Sequence, residues 1–152
     1  MTLQEQVNHD LKEAMRAKEE TTLNTLRLLK SEIQYELTKT GASTVSDDVV
    51  ITLLKKAISQ RTESATQFRN ANREDLASKE EAEREILKKY LPPDLPDSAI
   101  LEAIDKAIQE LSPKTQKEAG KITGNVMGKL KGKNANGTRV SELVKEKLSH
   151  LP

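Results

Sequence analysis

Glycines and lysines in the last third of the chain recur in a pattern that suggests a binding site. Gly120-Lys121 and Gly128-Lys129 resemble the core of a phosphate-binding P-loop. That motif needs a Gly five positions before the Gly-Lys pair and a Ser or Thr directly after it. Thr115 and Ile122 occupy those positions for the first pair, and the second pair fails at both positions too. The sequence therefore predicts no nucleotide-binding loop.

Glycines recur in this region at a spacing of four: Gly120, Gly124, Gly128 and Gly132. On a helix, residues four apart share a face, so these glycines predict a strip with almost no side chains. Each Gly inside a helix costs about 0.5–1 kcal/mol relative to Ala, so the strip requires an offsetting interaction. Two interpretations are open. Either the helix packs closely against a neighbour, or a partner such as a phosphate–ribose chain approaches the strip.

Basic residues surround the glycine strip. Lys and Arg neutralise phosphates and release condensed counterions, which favours a nucleic-acid site. The chain has only 2% aromatic residues, too few for single-strand stacking platforms, so folded RNA read by its shape is the expected ligand. The alternative is a solvated lysine surface. The predicted nucleic-acid-binding residues are Lys117, Lys121, Gly124, Lys129, Lys131, Lys133 and Arg139.

The charge of the chain is distributed unevenly. Its 152 residues contain 25 Lys and Arg against 24 Asp and Glu, a net charge of +1. Residues 112–152 alone carry nine basic and three acidic residues, a net charge of +6, so residues 1–111 carry −5. The balanced total argues against uniform coating of nucleic acid and favours one localised basic site.

Other chemistry has little support in the sequence. There is no Cys, and His9 and His150 lie near opposite ends without a metal-ligand spacing. We therefore expect no catalytic residue, no metal and no cofactor. Arg61 falls on an apolar helical stripe, where it either pairs with a Glu of another helix or extends to the surface.

The spacing of apolar residues predicts the helices on which these residues lie. Seven segments have apolar residues at spacings of three and four, and none alternates as a strand does, so the fold class is all-α. Thr2 with Glu5, Ser46, and Thr115 with Glu118 predict helix starts, and Gly41 predicts a helix end. Asn136 or Thr138 is expected to start the last helix.

A proline-rich segment predicts two small helical domains. Pro92, Pro93 and Pro96 block helix continuation, so we place the boundary there. The expected division is an N-terminal domain of about four helices over 1–93 and a three-helix domain over 94–152. No run of about eighteen apolar residues is present, and residues 1–20 lack an apolar core typical of a signal peptide. We therefore expect a cytoplasmic protein without membrane association.

Three segments carry a resemblance to a known family. They are Leu26 to Ile33, Gln60 to Pro92, and Gly120 to Val144. The chain resembles the stand-alone YqeY proteins of the GatB/YqeY group. The Gly-Lys-x-x-Gly pattern of that family corresponds to Gly120, Lys121 and Gly124, and its Lys-Gly-Lys pattern corresponds to residues 131–133.

The resemblance implies a two-domain helical module, with the GatB/YqeY motif in the second domain. It is similar to the C-terminal tail of the GatB component of the bacterial glutamyl/aspartyl-tRNA amidotransferase, where the tail helps to hold the tRNA. We therefore expect a bacterial accessory module that binds tRNA or another folded RNA, with a possible protein partner in tRNA aminoacylation or amidation.

Two other functions stay open at this point. One is a protein–protein adaptor without RNA binding, which docks through the glycine-lined helix or through the N-terminal helices. The other is a component with carbon–nitrogen ligase activity that uses glutamine as the amide donor. The family context suggests the second, although no nucleotide site or nucleophile is visible.

Overall fold

The computed structural model describes every residue from Met1 to Pro152 and confirms the all-α fold class. It contains no strand, and none of its helices has the length and apolar content to span a membrane. A 3₁₀ turn over Gln116–Glu118 leads directly into α6. The helices are α1 (Leu3–Ala17), α2 (Glu20–Thr40), α3 (Asp47–Asn70), α4 (Glu74–Lys88), α5 (Asp97–Leu111), α6 (Ala119–Lys129) and α7 (Gly137–Lys147).

The residues form two compact units, Met1–Leu91 and Pro92–Pro152. The first contains α1 to α4, and the second contains α5 to α7 with the 3₁₀ turn. Each unit has its own cluster of buried aliphatic side chains. This follows from a composition in which each helix has one apolar stripe to bury.

The predicted helix caps are present. Glu5 N donates to Thr2 Oγ1 at 3.1 Å and Thr2 N donates to Glu5 Oε2 at 3.1 Å, which completes the capping box of α1. Ser46 accepts from Val49 N at the start of α3. Gly41 ends α2 with a φ of 71°, a left-handed conformation that Gly adopts without steric cost.

Short turns follow α1 and α6. Lys18 takes the left-handed conformation after α1, and α2 starts at Glu20. Helix α6 ends at Lys129. Gly132 has a φ of 84° in the turn that follows, so it does not continue the helical glycine strip.

In the first unit, α2 contributes the main apolar stripe: Leu26, Leu29, Ile33 and Leu37 are buried. Helices α3 and α4 pack against each other as a hairpin. Arg61 of α3 forms an ion pair with Glu83 of α4 at 3.3 Å, which confirms the ion-pair interpretation of its place on the apolar stripe.

In the second unit, the core side of α6 is set by Ile122 and Val126, both fully buried. They pack in one cluster with Ile104 of α5 and with Val140 and Val144 of α7. Because residues 120, 124 and 128 lie on other sides of the same helix, burial of this stripe turns the glycine strip away from the core.

Candidate nucleic-acid interface

The glycine strip of α6 faces open space. Gly120, Gly124 and Gly128 are all exposed, and a Cβ added at any of them would meet no other group within 4 Å. Close packing against a neighbouring helix would have placed atoms there. The structure therefore excludes the packing interpretation within this chain, and the cost of three helical glycines has no intramolecular explanation.

The start of α6 is fixed by the second predicted capping box. Thr115 and Glu118 form this box at the 3₁₀ turn, and Glu118 Oε2 accepts hydrogen bonds from the backbone N–H groups of Lys114 and Thr115. These bonds, with the nearby charges of Lys121 and Lys114, lower the pKa of Glu118 below its usual value. Glu118 is therefore ionised at neutral pH and holds the end of the helix that carries the strip.

Lys117 and Lys121 are the predicted residues that flank the strip most directly. Both are exposed, and neither forms an ion pair or a side-chain hydrogen bond within the chain. Lys121 lies one residue after Gly120 and three before Gly124, so it borders the strip along the first turns of α6. The structure therefore brings two free ammonium groups and a smooth helix surface together.

Two other predicted residues are occupied by acidic partners on α5 and α7. Lys129 Nζ lies 2.8 Å from Glu110 Oε1. Arg139 binds Asp97 at 2.6 Å and Glu142 at 3.1 Å. These hydrogen bonds raise the pKa of Arg139, and the Arg139 guanidinium lowers the pKa of Asp97.

These ion pairs reduce the positive charge that residues 112–152 offer to a ligand. Three of the four acidic residues of 96–111 pair with basic residues of α6 or α7: Asp97 and Glu110 as described, and Asp105 with Lys147 at 3.3 Å. The +6 segment is therefore partly neutralised in the folded unit. Its free positive charge concentrates near the start of α6.

Lys131 and Lys133 lie in the turn after α6 and are exposed. Lys133 also lines a cavity of about 300 Å³ together with Lys106, Lys129 and Glu102. The carbonyl ends of α6 point toward this turn, and lysines there complement the negative end of the helix dipole. This location makes the turn less favourable to an anion than the start of α6.

Sequence reasoning missed two features of the site. The Oδ1 atom of Asn125, beside Gly124, is shielded from solvent and has no hydrogen-bond partner. In the sequence, only the position of Asn125 directly after Gly124 could have drawn attention to this side chain. The acidic partners on α5 were also missed, although the net charge of −3 over residues 96–111 was available as a sign of neutralisation.

The loop before α7 is anchored by Asn134. Its side chain donates to Pro92 O at 3.0 Å and to Asp94 Oδ1 at 2.9 Å, and its carbonyl accepts from Leu95 N. Asn136 then caps α7 by accepting from Arg139 N at 3.2 Å, which selects it over Thr138. The proline-rich segment therefore fixes the position of this loop within the second unit.

The family model described as YqeY-like protein matches residues 4–148 of the chain. The chain belongs to the YqeY-like family. This confirms the resemblance drawn from the three sequence segments, because the match covers all three of them in one continuous region.

Several relatives that match this YqeY-family chain are fungal. It is 41% identical to Altered inheritance of mitochondria protein 41, mitochondrial, of Pyrenophora tritici-repentis over 53% of this chain and 44% of that protein. It is 34% identical to the Saccharomyces cerevisiae protein of the same name, over 61% of this chain and 50% of that protein. An uncharacterized protein of Schizosaccharomyces pombe is 36% identical over 59% of this chain and 72% of that protein. The chain thus spans about half the length of the mitochondrial relatives it matches.

These relatives contradict the expectation of a bacterial, cytoplasmic protein. The matched proteins come from fungi, and several carry mitochondrial names. The bacterial expectation was wrong because it rested on the resemblance to a bacterial amidotransferase component, and the cytoplasmic one because it rested on the lack of a long apolar run and of a signal-peptide core. Those features describe a folded helical domain, whereas an organelle address resides in a separate targeting segment.

Proposed function

We propose that this YqeY-family chain is an accessory module that binds tRNA, or another folded RNA, along the exposed face of α6. The observation that carries the proposal is the open glycine strip at residues 120, 124 and 128, flanked by the unpaired Lys117 and Lys121. No packing within the chain accounts for these glycines. A partner that must approach a helix backbone closely does account for them.

A phosphate–ribose backbone suits this surface. Glycines leave the helix without side chains on one face, and the adjacent ammonium groups supply positive charge where phosphates would lie. Contacts of this kind position a nucleic acid but carry no sequence information. The expected ligand is therefore an RNA recognised by its shape, which agrees with the scarcity of aromatic residues.

The ion pairs set the expected strength of binding. Lys129 and Arg139 already have acidic partners, so they release fewer counterions than free side chains would. With Lys117 and Lys121 as the main contacts and Lys131 as a weaker third one, the logarithm of the affinity should fall with the logarithm of salt at a slope of about −2 to −3. This predicts a moderate, salt-sensitive interaction.

Filter binding of total tRNA over a salt series tests the proposal. The double variant Lys117→Glu with Lys121→Glu should weaken binding at low salt by about tenfold or more and flatten the salt slope by about 2. The matched control is Lys12→Glu with Lys56→Glu, exposed lysines of the first unit. Absence of tRNA binding at low salt, or equal loss in both double variants, would reject this interface.

We also propose a mitochondrial setting for the module, as part of an accessory protein. Support comes from the names of the matched relatives, several of which are mitochondrial. Cell fractionation with an antibody against the chain tests this, with enrichment in purified mitochondria as the expected result. An even distribution between fractions would contradict it.

We propose further that the two compact units are separate domains, of four and three helices, joined near Pro92–Pro96. Independent clusters of buried side chains in each unit support this division. Limited proteolysis of the full chain should cut first near residues 92–96 and leave two resistant fragments. A first cut inside α3 or α6 would contradict the division.

A further inference from the structure

The outer face of α2 has two large apolar side chains that no part of the chain covers. Leu28 is 57% exposed and Tyr35 is 63% exposed. They are seven residues apart, which places them on the same side of the helix two turns apart. Only two other large apolar residues of the chain, Met1 and Met15, are comparably exposed, and neither is on α2.

Positive charge lies beside these side chains without acidic partners. Arg27 and Lys30 are exposed and form no ion pair, whereas each of the other six arginines pairs with an Asp or Glu. Together with Ser31 and Gln34 they line a shallow cavity of about 360 Å³ that contains no carboxylate. This part of α2 is therefore both apolar and cationic.

One face of the exposed Tyr35 ring contacts a cation. Lys39 Nζ lies 4.7 Å from the centre of the Tyr35 ring, and Lys39 also pairs with Glu36 at 3.4 Å. A cation over one ring face restrains the side chain and leaves its other face open. The apolar contact surface is thus partly ordered before any partner binds, which reduces the entropy lost on association.

We propose that this α2 face, defined by Arg27, Leu28, Lys30, Ser31, Gln34 and Tyr35, docks an acidic amphipathic helix of a partner protein. Apolar residues of such a helix at spacings of three, four and seven would contact Leu28 and Tyr35. Its flanking carboxylates would pair with Arg27 and Lys30, the two cations of this face, neither of which has an acidic partner within the chain. Charge complementarity therefore selects an acidic partner over a basic one.

Two other occupants fit the face less well. A nucleic acid would satisfy Arg27 and Lys30 but would desolvate Leu28 against a charged backbone that offers no apolar surface. A second copy of the chain paired antiparallel would place Glu32 and Glu36, on one edge of the face, beside the same residues of the other copy. Such like-charge contacts are unfavourable.

Fluorescence anisotropy with the full chain tests the proposal. The probe is a labelled helical peptide of about 20 residues with leucines along one face and glutamates beside them, and the counter-probe has lysines in place of the glutamates. The glutamate peptide should bind more tightly. Leu28→Ala, Tyr35→Ala, and the double variant Arg27→Glu with Lys30→Glu should each weaken its binding by about tenfold or more.

The chain offers matched controls for both kinds of change. Met15→Ala removes another exposed apolar side chain, and Lys12→Glu reverses another exposed charge, so each should alter peptide binding less than about twofold. Circular dichroism verifies that every variant remains folded. Failure of the glutamate peptide to bind, equal binding of both peptides, or equal effects of Leu28→Ala and Met15→Ala would overturn the proposal.

Two further measurements separate the other occupants. If Leu28→Ala converts a dimer to a monomer in analytical ultracentrifugation, the face is a self-interface and the proposal is wrong. If the Arg27/Lys30 double variant weakens tRNA binding as strongly as the Lys117/Lys121 double variant, the face is an RNA contact and the proposal is again wrong. Retained tRNA binding with lost peptide binding is the expected result.

Discussion

Arg61 of α3 and Glu83 of α4 form an ion pair in which Nε lies 3.3 Å from Oε2, and their side chains are only 12% and 13% exposed. The Arg61 Nη1 group also donates to the Ala57 carbonyl at 3.2 Å, but Nε makes no hydrogen bond. The pair therefore connects the two helices of the hairpin mainly through charge. Its energetic role depends on what happens when one partner is removed.

Arg61→Met should destabilise the chain by about 3 kcal/mol, because Glu83 would stay buried without a counter-charge. Combining it with Glu83→Leu should restore most of the loss, since neither charge is then desolvated. Urea unfolding of the two single variants and the double variant measures this coupling. Additive losses would show that the pair contributes nothing beyond the packing of each side chain.

Tyr90 gives the first unit a pH dependence. Its hydroxyl donates to Asp10 Oδ2 at 2.6 Å, and the ring is 8% exposed. Burial, with the hydrogen bond to Asp10 and its negative charge, raises the pKa of Tyr90 above its usual value of 10. Above about pH 10 the unfolded chain loses this proton while the folded chain keeps it.

The free energy of unfolding should therefore fall as pH rises above about 10, and Tyr90→Phe should make the fall shallower. At neutral pH the same substitution should cost about 1–2 kcal/mol for the lost hydrogen bond. Urea unfolding from pH 8 to pH 11 measures both effects. Tyr35→Phe, at an exposed position without a hydrogen bond to Asp10, is the control and should leave the slope unchanged.

The features predictable from sequence were those decided by near neighbours in the chain. The Thr2–Glu5 box needs only three residues and fixed backbone geometry, so its residue types identify it. The partners of Arg139 and Lys129 were not predictable in this way. Asp97 is 42 positions from Arg139, and Glu110 is 19 from Lys129, so these pairs depend on how α5 packs in the unit.

The prediction of the site was also limited by contacts between residues that are far apart in the sequence. All seven residues named from sequence lie in the second unit, but helix packing decides which of them are free. Periodicity places Gly124 and Lys121 on neighbouring positions of one helix, which the structure bears out. It could not tell that this side of α6 faces open space, because that depends on contacts with α5 and α7.

Asp97→Asn should strengthen tRNA binding, because it makes Arg139 more available to the RNA. The substitution removes the main acidic partner of Arg139, which then retains only Glu142 at 3.1 Å. One more available cation should make the salt slope steeper by up to about 0.9. Asp75→Asn releases Arg73 in the first unit with the same change in net charge, and is the control. Equal strengthening by both variants would mean that only the overall charge matters.

Substitutions at Gly124 should separate folding from binding. A Cβ at this position meets nothing within 4 Å, so Gly124→Ala should stabilise the chain by about 0.5–1 kcal/mol through better helix propensity. Gly124→Leu should fold equally well, but its side chain would keep an RNA backbone away from the helix. We expect it to weaken tRNA binding by about tenfold in filter binding, since close approach is what the glycine allows.

Substitution of Gly41 is a control for substitution of Gly124. Gly41 has a φ of 71°, so Gly41→Ala should destabilise the chain by about 1 kcal/mol in thermal unfolding and leave tRNA binding unchanged. Gly124 is helical, and its replacement should have the opposite pair of effects: a gain in stability and a loss of binding. If Gly124→Leu bound tRNA as tightly as the unmodified chain, the glycine strip would not be the surface that RNA approaches.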